Sequence, residues 1–211
     1  MRQLLTAFFG LVVTAQSVFA APKIATLVLL DPVVQVIRSG KVLDIHKQET
    51  EIFGSDRIET GPEGKAKLAF ENGDVVYLGP NSAVDLSAEQ GKEAMKIDLN
   101  LTGKLRALVN RRPDRSFQVR TVNAVVGVKG TDFVVEEAAS QTRVATFNGL
   151  VALASAQNGQ SVDVPAGKQG AISPSGEVMP LTEIAGDILS GVEIAGKKLS
   201  IEEAAGSKVA P

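Results

Sequence analysis

The stretch Leu68-Ala-Phe-Glu-Asn-Gly-Asp-Val-Val-Tyr-Leu-Gly-Pro-Asn-Ser82 holds two strand signals and two turn signals in succession. Its first strand begins at Lys65, and Ala66, Leu68 and Phe70 fall on one face of a period-two pattern. Asn72-Gly73 then supplies a tight hairpin turn, for which the type I′ geometry with positive φ at both central residues is expected. Val75 to Leu78 forms a second apolar run, and Gly79-Pro80 ends it. Runs of four or five residues, rich in Val and bounded by turns, predict strand rather than helix.

The same grammar continues on both sides. Met95, Ile97, Leu99 and Leu101 alternate with Lys96, Asp98 and Asn100, and Phe117 and Val119 alternate with Gln118 and Arg120. A one-residue slip in either segment would turn charges inward, so the pattern fixes the register. Val33 to Ile37, Val75 to Leu78, Val125 to Val128 and Leu150 to Leu153 are apolar on both faces, which predicts strands covered on both sides. Asn148-Gly149, Asn158-Gly159, Gly61-Pro62 and Ala166-Gly167 punctuate further. The predicted fold is all-β: an antiparallel sandwich or roll of many short strands. Phe53, Phe70, Phe117, Phe133, Phe147 and Tyr77 are its expected core anchors.

The ends read differently. Met1-Arg2, the apolar Leu4 to Val13 and Val18-Phe-Ala20 predict a signal peptide over residues 1–20, cleaved after Ala20. Residues 21–180 form the β domain. In residues 181–211, Leu181, Ile184 and Ile188 fall at helical spacing, predicting a short helix followed by a Gly- and Ala-rich flexible tail. No second apolar stretch predicts a membrane span after cleavage.

Composition removes several function classes. The chain has 22 basic and 24 acidic residues, so it lacks the basic excess of a nucleic-acid protein. It has no Cys, which removes thiol catalysis and thiolate zinc sites. Its single His, His46, lies in the polar run Asp44 to Glu49, with no nucleophile elbow in the sequence to pair with it. Asp56, Glu59, Asp74 and Asp85 are carboxylates without a paired-acid signature. The expectation is therefore no enzyme, no metal and no cofactor. The strongest charge feature is basic: Lys104, Arg106, Arg111, Arg112 and Arg115, with Arg120 beyond, predict a partner-binding surface for an acidic protein or an anionic polymer.

At these residues the chain resembles the periplasmic domain of the FecR family. Gly54-Ser-Asp-Arg-Ile-Glu-Thr-Gly61 matches its G-x-D-x-I-x-T-G segment, and Phe70 to Ser82 its turn and following run. Phe117-Gln-Val-Arg-Thr121 with Val128-Lys-Gly-Thr-Asp-Phe133 matches its hallmark, Lys129 standing for the usual arginine. Blocks from about residue 30 to 175 share the resemblance. It implies structural roles for Asp56, Thr60, Gly61, Gly73, Lys129, Gly130, Thr131 and Phe133. It also implies a periplasmic or secreted protein of a Gram-negative envelope. The best-known members carry an anti-sigma segment and a transmembrane helix before this domain. Only Met1-Arg2-Gln3 precede the apolar stretch here, so the expectation is an envelope interaction module, or the sensory part of a surface-signalling relay acting with a separate membrane protein.

Overall fold

The computed structural model describes residues 23–29, 33–43, 45, 49–90 and 95–193. The predicted signal peptide, His46 and the end of the predicted tail lie outside the described residues. Among the described residues, seventeen strands form two faces of a sandwich. One sheet runs in the order β4 (Glu49–Phe53), β1 (Lys23–Leu29), β6 (Ala66–Phe70), β7 (Val75–Leu78), β9 (Met95–Val109), β12 (Thr131–Ala138), β13 (Gln141–Asn148), β16 (Lys168–Ile172) and β17 (Thr182–Glu183). The other runs β3 (Lys41–Leu43), β2 (Val34–Arg38), β5 (Arg57–Thr60), β8 (Ala83–Gln90), β9, β10 (Arg115–Arg120), β11 (Ala124–Val128), β14 (Leu150–Ser155) and β15 (Ser161–Pro165). Below, the first is sheet A and the second sheet B.

Strand β9 belongs to both sheets and makes their hydrogen bonding continuous. Met95–Thr102 pairs with β8 in sheet B, and Gly103–Val109 pairs with β12 in sheet A. The switch falls at Gly103, whose φ of +90° suits glycine, and where a Cβ would lie 2.6 Å from the Ser82 hydroxyl. That hydroxyl accepts a hydrogen bond from the Lys104 N–H at 2.9 Å. Thr60 braces the same corner, its hydroxyl donating to the Gly79 carbonyl at 2.6 Å and accepting the Ser82 N–H at 2.9 Å.

Both sheets bury one face in a common core. Ala66, Leu68, Phe70, Ile97, Leu99, Leu101, Phe117 and Val119 are buried in the expected register. Phe117 from sheet B meets Phe70 and Phe133 from sheet A edge to face, at 6.3 and 6.4 Å. Phe147 is buried in a separate cluster. Phe53 and Tyr77 are only half-buried, lying under Arg38 and Lys67.

Four expectations are corrected. First, the sandwich is not purely antiparallel: β10 runs parallel to the first half of β9. The crossover such a pair requires is supplied by the second half of β9 passing through sheet A. Second, the Asn-Gly turns are not type I′, because only Gly73, Gly149 and Gly159 adopt positive φ. Third, the doubly apolar runs are covered on one face only. Val34 and Val36 are buried while Val33 is exposed, and Val151 and Leu153 are buried while Leu150 and Ala152 are exposed.

Fourth, residues 181–189 do not form an α-helix. Thr182–Glu183 adds to the edge of sheet A, and Gly186–Leu189 makes one 3-10 turn without a side-chain cap. Gly186 lowers helix propensity and the open sheet edge offers competing backbone partners. The apolar spacing still expresses itself in packing. Ile184, Ile188 and Val192 cover Val134, Ala145 and Phe147 on the outer face of sheet A.

Candidate functional site

The basic residues grouped by the sequence separate into two sets. Residues of β9 alternate, and the even positions Lys104 and Arg106 point to the outer face of sheet A, beneath the segment 184–192. Arg106 is 1% exposed. Its guanidinium donates to both Asp132 oxygens at 2.9 and 2.7 Å and lies 5.1 Å from the centre of the Phe147 ring. Lys104 pairs with Glu136 at 2.8 Å and reaches the Ser190 carbonyl at 3.3 Å. These two cations hold the fold together and do not share a surface with the rest.

Arg111 and Arg112 are exposed in the loop after β9, and Arg115 is half-buried at the start of β10, 3.4 Å from the Asn72 carbonyl. Arg120 lies two residues further along β10, on the same outer face as Gln118, to which it donates at 3.0 Å. The exposed Lys129 joins Arg111 instead, as part of the lining of one cleft. Among the described residues, no carboxylate forms an ion pair with Arg111, Arg112 or Lys129.

The loop that carries Arg111 is fixed at both ends. At the β6–β7 hairpin, Asp74 is buried and accepts the Asn110 N–H at 2.8 Å, while the Asn110 side chain donates to the Gly73 carbonyl at 2.8 Å. On the other side, Gly130 lies against Arg111 so closely that a Cβ there would be 2.4 Å from the Arg111 Cβ. Gly149 in turn lies against the Gly130 carbonyl. The Val128-Lys-Gly-Thr motif therefore presents a cation from each of two segments: Lys129 directly and Arg111 through the contact with Gly130. Thr131 fixes the bend by donating to the Leu150 carbonyl at 3.2 Å, and Phe133 returns to the core.

Beside these cations the outer face of sheet B carries a cleft of about 480 Å³. Its floor is a row of residues in register across four strands, Gln118, Gly127, Ala152 and Asp163. Leu150, Lys129, Arg111 and Ser116 border it. Sequence reading did not select Gly127, Leu150, Ala152 or Asp163. The available signal was the apolar character of both faces of Val125–Val128 and Leu150–Leu153, which pointed to cover on the outer face.

The remaining motif residues and carboxylates have structural partners. Asp56 is fully buried and paired with Arg38. Gly61 lets the chain pass Val33, where a Cβ would come within 2.3 Å. Arg57 bridges Glu59 and Asp85, at 2.7 Å each. No cluster of His, Cys, Asp and Glu suited to a metal ion occurs among the described residues.

Residues 56–152 match the family described as FecR protein. The chain carries a FecR domain. The match is narrower than the blocks from about 30 to 175, running from buried Asp56 to Ala152 on the floor of the cleft. The FecR domain thus contains the basic loop, the Gly130 contact and most of the cleft. Two crystal structures of a candidate anti-sigma factor from Parabacteroides distasonis ATCC 8503 share the fold, each with a TM-score of 0.54 at 19% identity. Each comparison covers 62% of this chain and 61% of that protein, so the chain spans about three fifths of its length. No curated protein matches the chain.

Proposed function

We propose that this FecR-domain chain is a non-catalytic interaction module of the bacterial envelope, working in the periplasm or outside the cell, and that it engages an anionic partner. The observation that carries this reading is the pair Arg111 and Lys129 on the border of the cleft, with Arg112 next in the same loop, none of them paired with a carboxylate among the described residues. Exposed loop cations are ordinary, but these are held by Asp74, Gly130 and Gly149, so little ordering remains to oppose binding. Among the described residues no helix is long and apolar enough to cross a membrane.

A second reading makes the chain the sensory component of a surface-signalling relay acting with a separate membrane protein. The FecR match and the description of the structural neighbour as a candidate anti-sigma factor favour it. Both readings are tested by placing a photo-crosslinking amino acid at Arg112 and, as a control, at the exposed Gln157. A crosslinked envelope component at Arg112 and none at Gln157 supports an interaction module. A membrane-bound regulator as that component selects the relay. Absence of adducts at Arg112 in native envelopes sinks both.

A further inference from the structure

Gly127 is a glycine in the interior of a sheet whose own fold does not ask for one. It lies on β11, between β10 and β14, with φ outside the positive region. A Cβ built there would meet nothing within 4 Å. Glycines that are close-packed, by contrast, have a cause within the chain. Gly103 faces Ser82, Gly130 faces Arg111, Gly149 faces Gly130 and Gly170 faces Val164. A strand glycine weakens its strand relative to Ala and commonly marks close approach by a ligand or another backbone. Here the space above Gly127 is the cleft itself.

We propose that the cleft is the binding site for an extended peptide segment of a partner protein, with an apolar side chain over Gly127 and Ala152 and an acidic residue beside Lys129 and Arg111. This rests on the interaction-module reading above and narrows its ligand. Four strands at a spacing of about 4.8 Å make the floor about 14 Å long, the span of about four extended residues. Leu150 is 50% exposed and walls the floor, giving an apolar side chain a surface to cover. Lys129 and Arg111 lie at one border and Asp163 ends the floor row, so the site is dipolar. An anionic residue fits the first place, and a cation or an amide N–H fits the second.

That dipole argues against a uniformly anionic polymer, which would bring like charge onto Asp163. The lining also contains no exposed aromatic ring on which a sugar could stack: its one aromatic, Phe117, is buried. A peptide needs neither feature changed.

The test uses the full chain, labelled for NMR, and two probes: the peptide acetyl-Glu-Glu-Val-Thr-Val-Lys-Lys-amide and polygalacturonate. The peptide is expected to shift the amides of Gly127, Leu150 and Ala152. Gly127→Val should weaken it at least tenfold while the melting temperature stays equal or rises, because a β-branched residue fills the open space. Should that variant misfold, Ala152→Ile on the neighbouring strand blocks the same floor. Replacing both peptide valines with serine should also weaken binding, and Lys129→Glu should do so in a salt-dependent way. If polygalacturonate binds, is lost with Arg111→Glu and ignores Gly127→Val, the peptide proposal falls and the broader module reading stands. If neither probe moves the cleft residues, both fall.

Discussion

Asp56, with no exposed surface, accepts both arms of the Arg38 guanidinium, at 2.8 and 2.7 Å, one position beyond the end of the β2–β5 pairing at Ile37 and Arg57. The same carboxylate takes the Phe53 N–H at 2.9 Å. Arg38 in turn lies 4.4 Å above the Phe53 ring and donates to the Glu51 carbonyl on edge strand β4. The hydrogen bond to Asp56 and its charge hold the Arg38 pKa above the ordinary value, with partial burial opposing them. Asp56→Ala is expected to cost about 2–4 kcal/mol, since it strips a fork and leaves an N–H unpaired. A double-mutant cycle with Arg38→Ala in urea should give a coupling of about 1–2 kcal/mol. Additive losses would mean that the pair acts as two separate residues.

Gly130 invites a second measurement. Gly130→Ala places a side chain at φ +79° and 2.4 Å from the Arg111 Cβ, so either the backbone or the loop must move. The expected loss is about 1–3 kcal/mol. The diagnostic readout is local: trypsin should cut after Arg111 faster than in the parent protein, because the loop leaves the sheet. Unchanged cutting would show that the loop is held from the Asp74 side alone.

The alternation in Ala66–Phe70, Met95–Leu101 and Phe117–Val119 was enough to set register, because a slipped register would bury charge. The sheet switch was not legible. Gly103 reads as any glycine until Ser82, brought from a distant turn, fills the place of its Cβ. Nor could the basic cluster be divided from sequence. Lys104 and Arg106 are surface cations until residues far downstream cover them, and Ile184 to Val192 carry no mark of which face they will cover. The apolar outer faces of β11 and β14 predicted strands covered on both sides, and there the reading failed: Leu150 and Ala152 are exposed, and nothing among the described residues covers them.

The segment 184–193 gives a pH prediction. After Ala185, whose N–H donates to Gln169 at 3.3 Å, its contacts with the sheet are side-chain packing, ion pairs and the hydrogen bonds that Lys104 donates to the Asp187 and Ser190 carbonyls. Arg143 meets Asp187 at 3.1 Å, and Lys65 meets Glu193 at 3.5 Å. The hydrogen bond and charge of Arg143 hold Asp187 below the ordinary carboxylate range. Glu193 is also lowered: its partial burial opposes this, and its own N–H and that of Gly191 outweigh it. A carboxylate with a depressed folded pKa stabilises above its unfolded value and loses that as pH falls through the folded one. Protection of the Ile188 and Val192 amides from hydrogen exchange should therefore be flat from neutrality to about pH 5 and fall below about pH 4. Asp187→Asn should flatten most of that fall, and a profile that keeps its full slope in this variant would place the titration elsewhere.

The division of the arginines makes the last prediction, and it separates fold from surface within one short stretch of chain. Arg106→Ala removes a buried fork and leaves Asp132, whose side chain is only 18% exposed, without its partner. The expected cost is about 3–4 kcal/mol, kept below the upper range for buried pairs by the water that still reaches Asp132. Arg106→Lys keeps the charge but loses the two-armed geometry and the flat contact with Phe147, so it should recover only part of that loss. Arg111→Glu and Arg112→Glu touch no such network and should change stability by less than about 0.5 kcal/mol. Guanidinium denaturation would be confounded by its own salt, so urea is the denaturant of choice. Equal destabilisation at Arg106 and Arg111 would mean that the loop cations also belong to the structural scaffold, and the binding surface assigned to them would have to be given up.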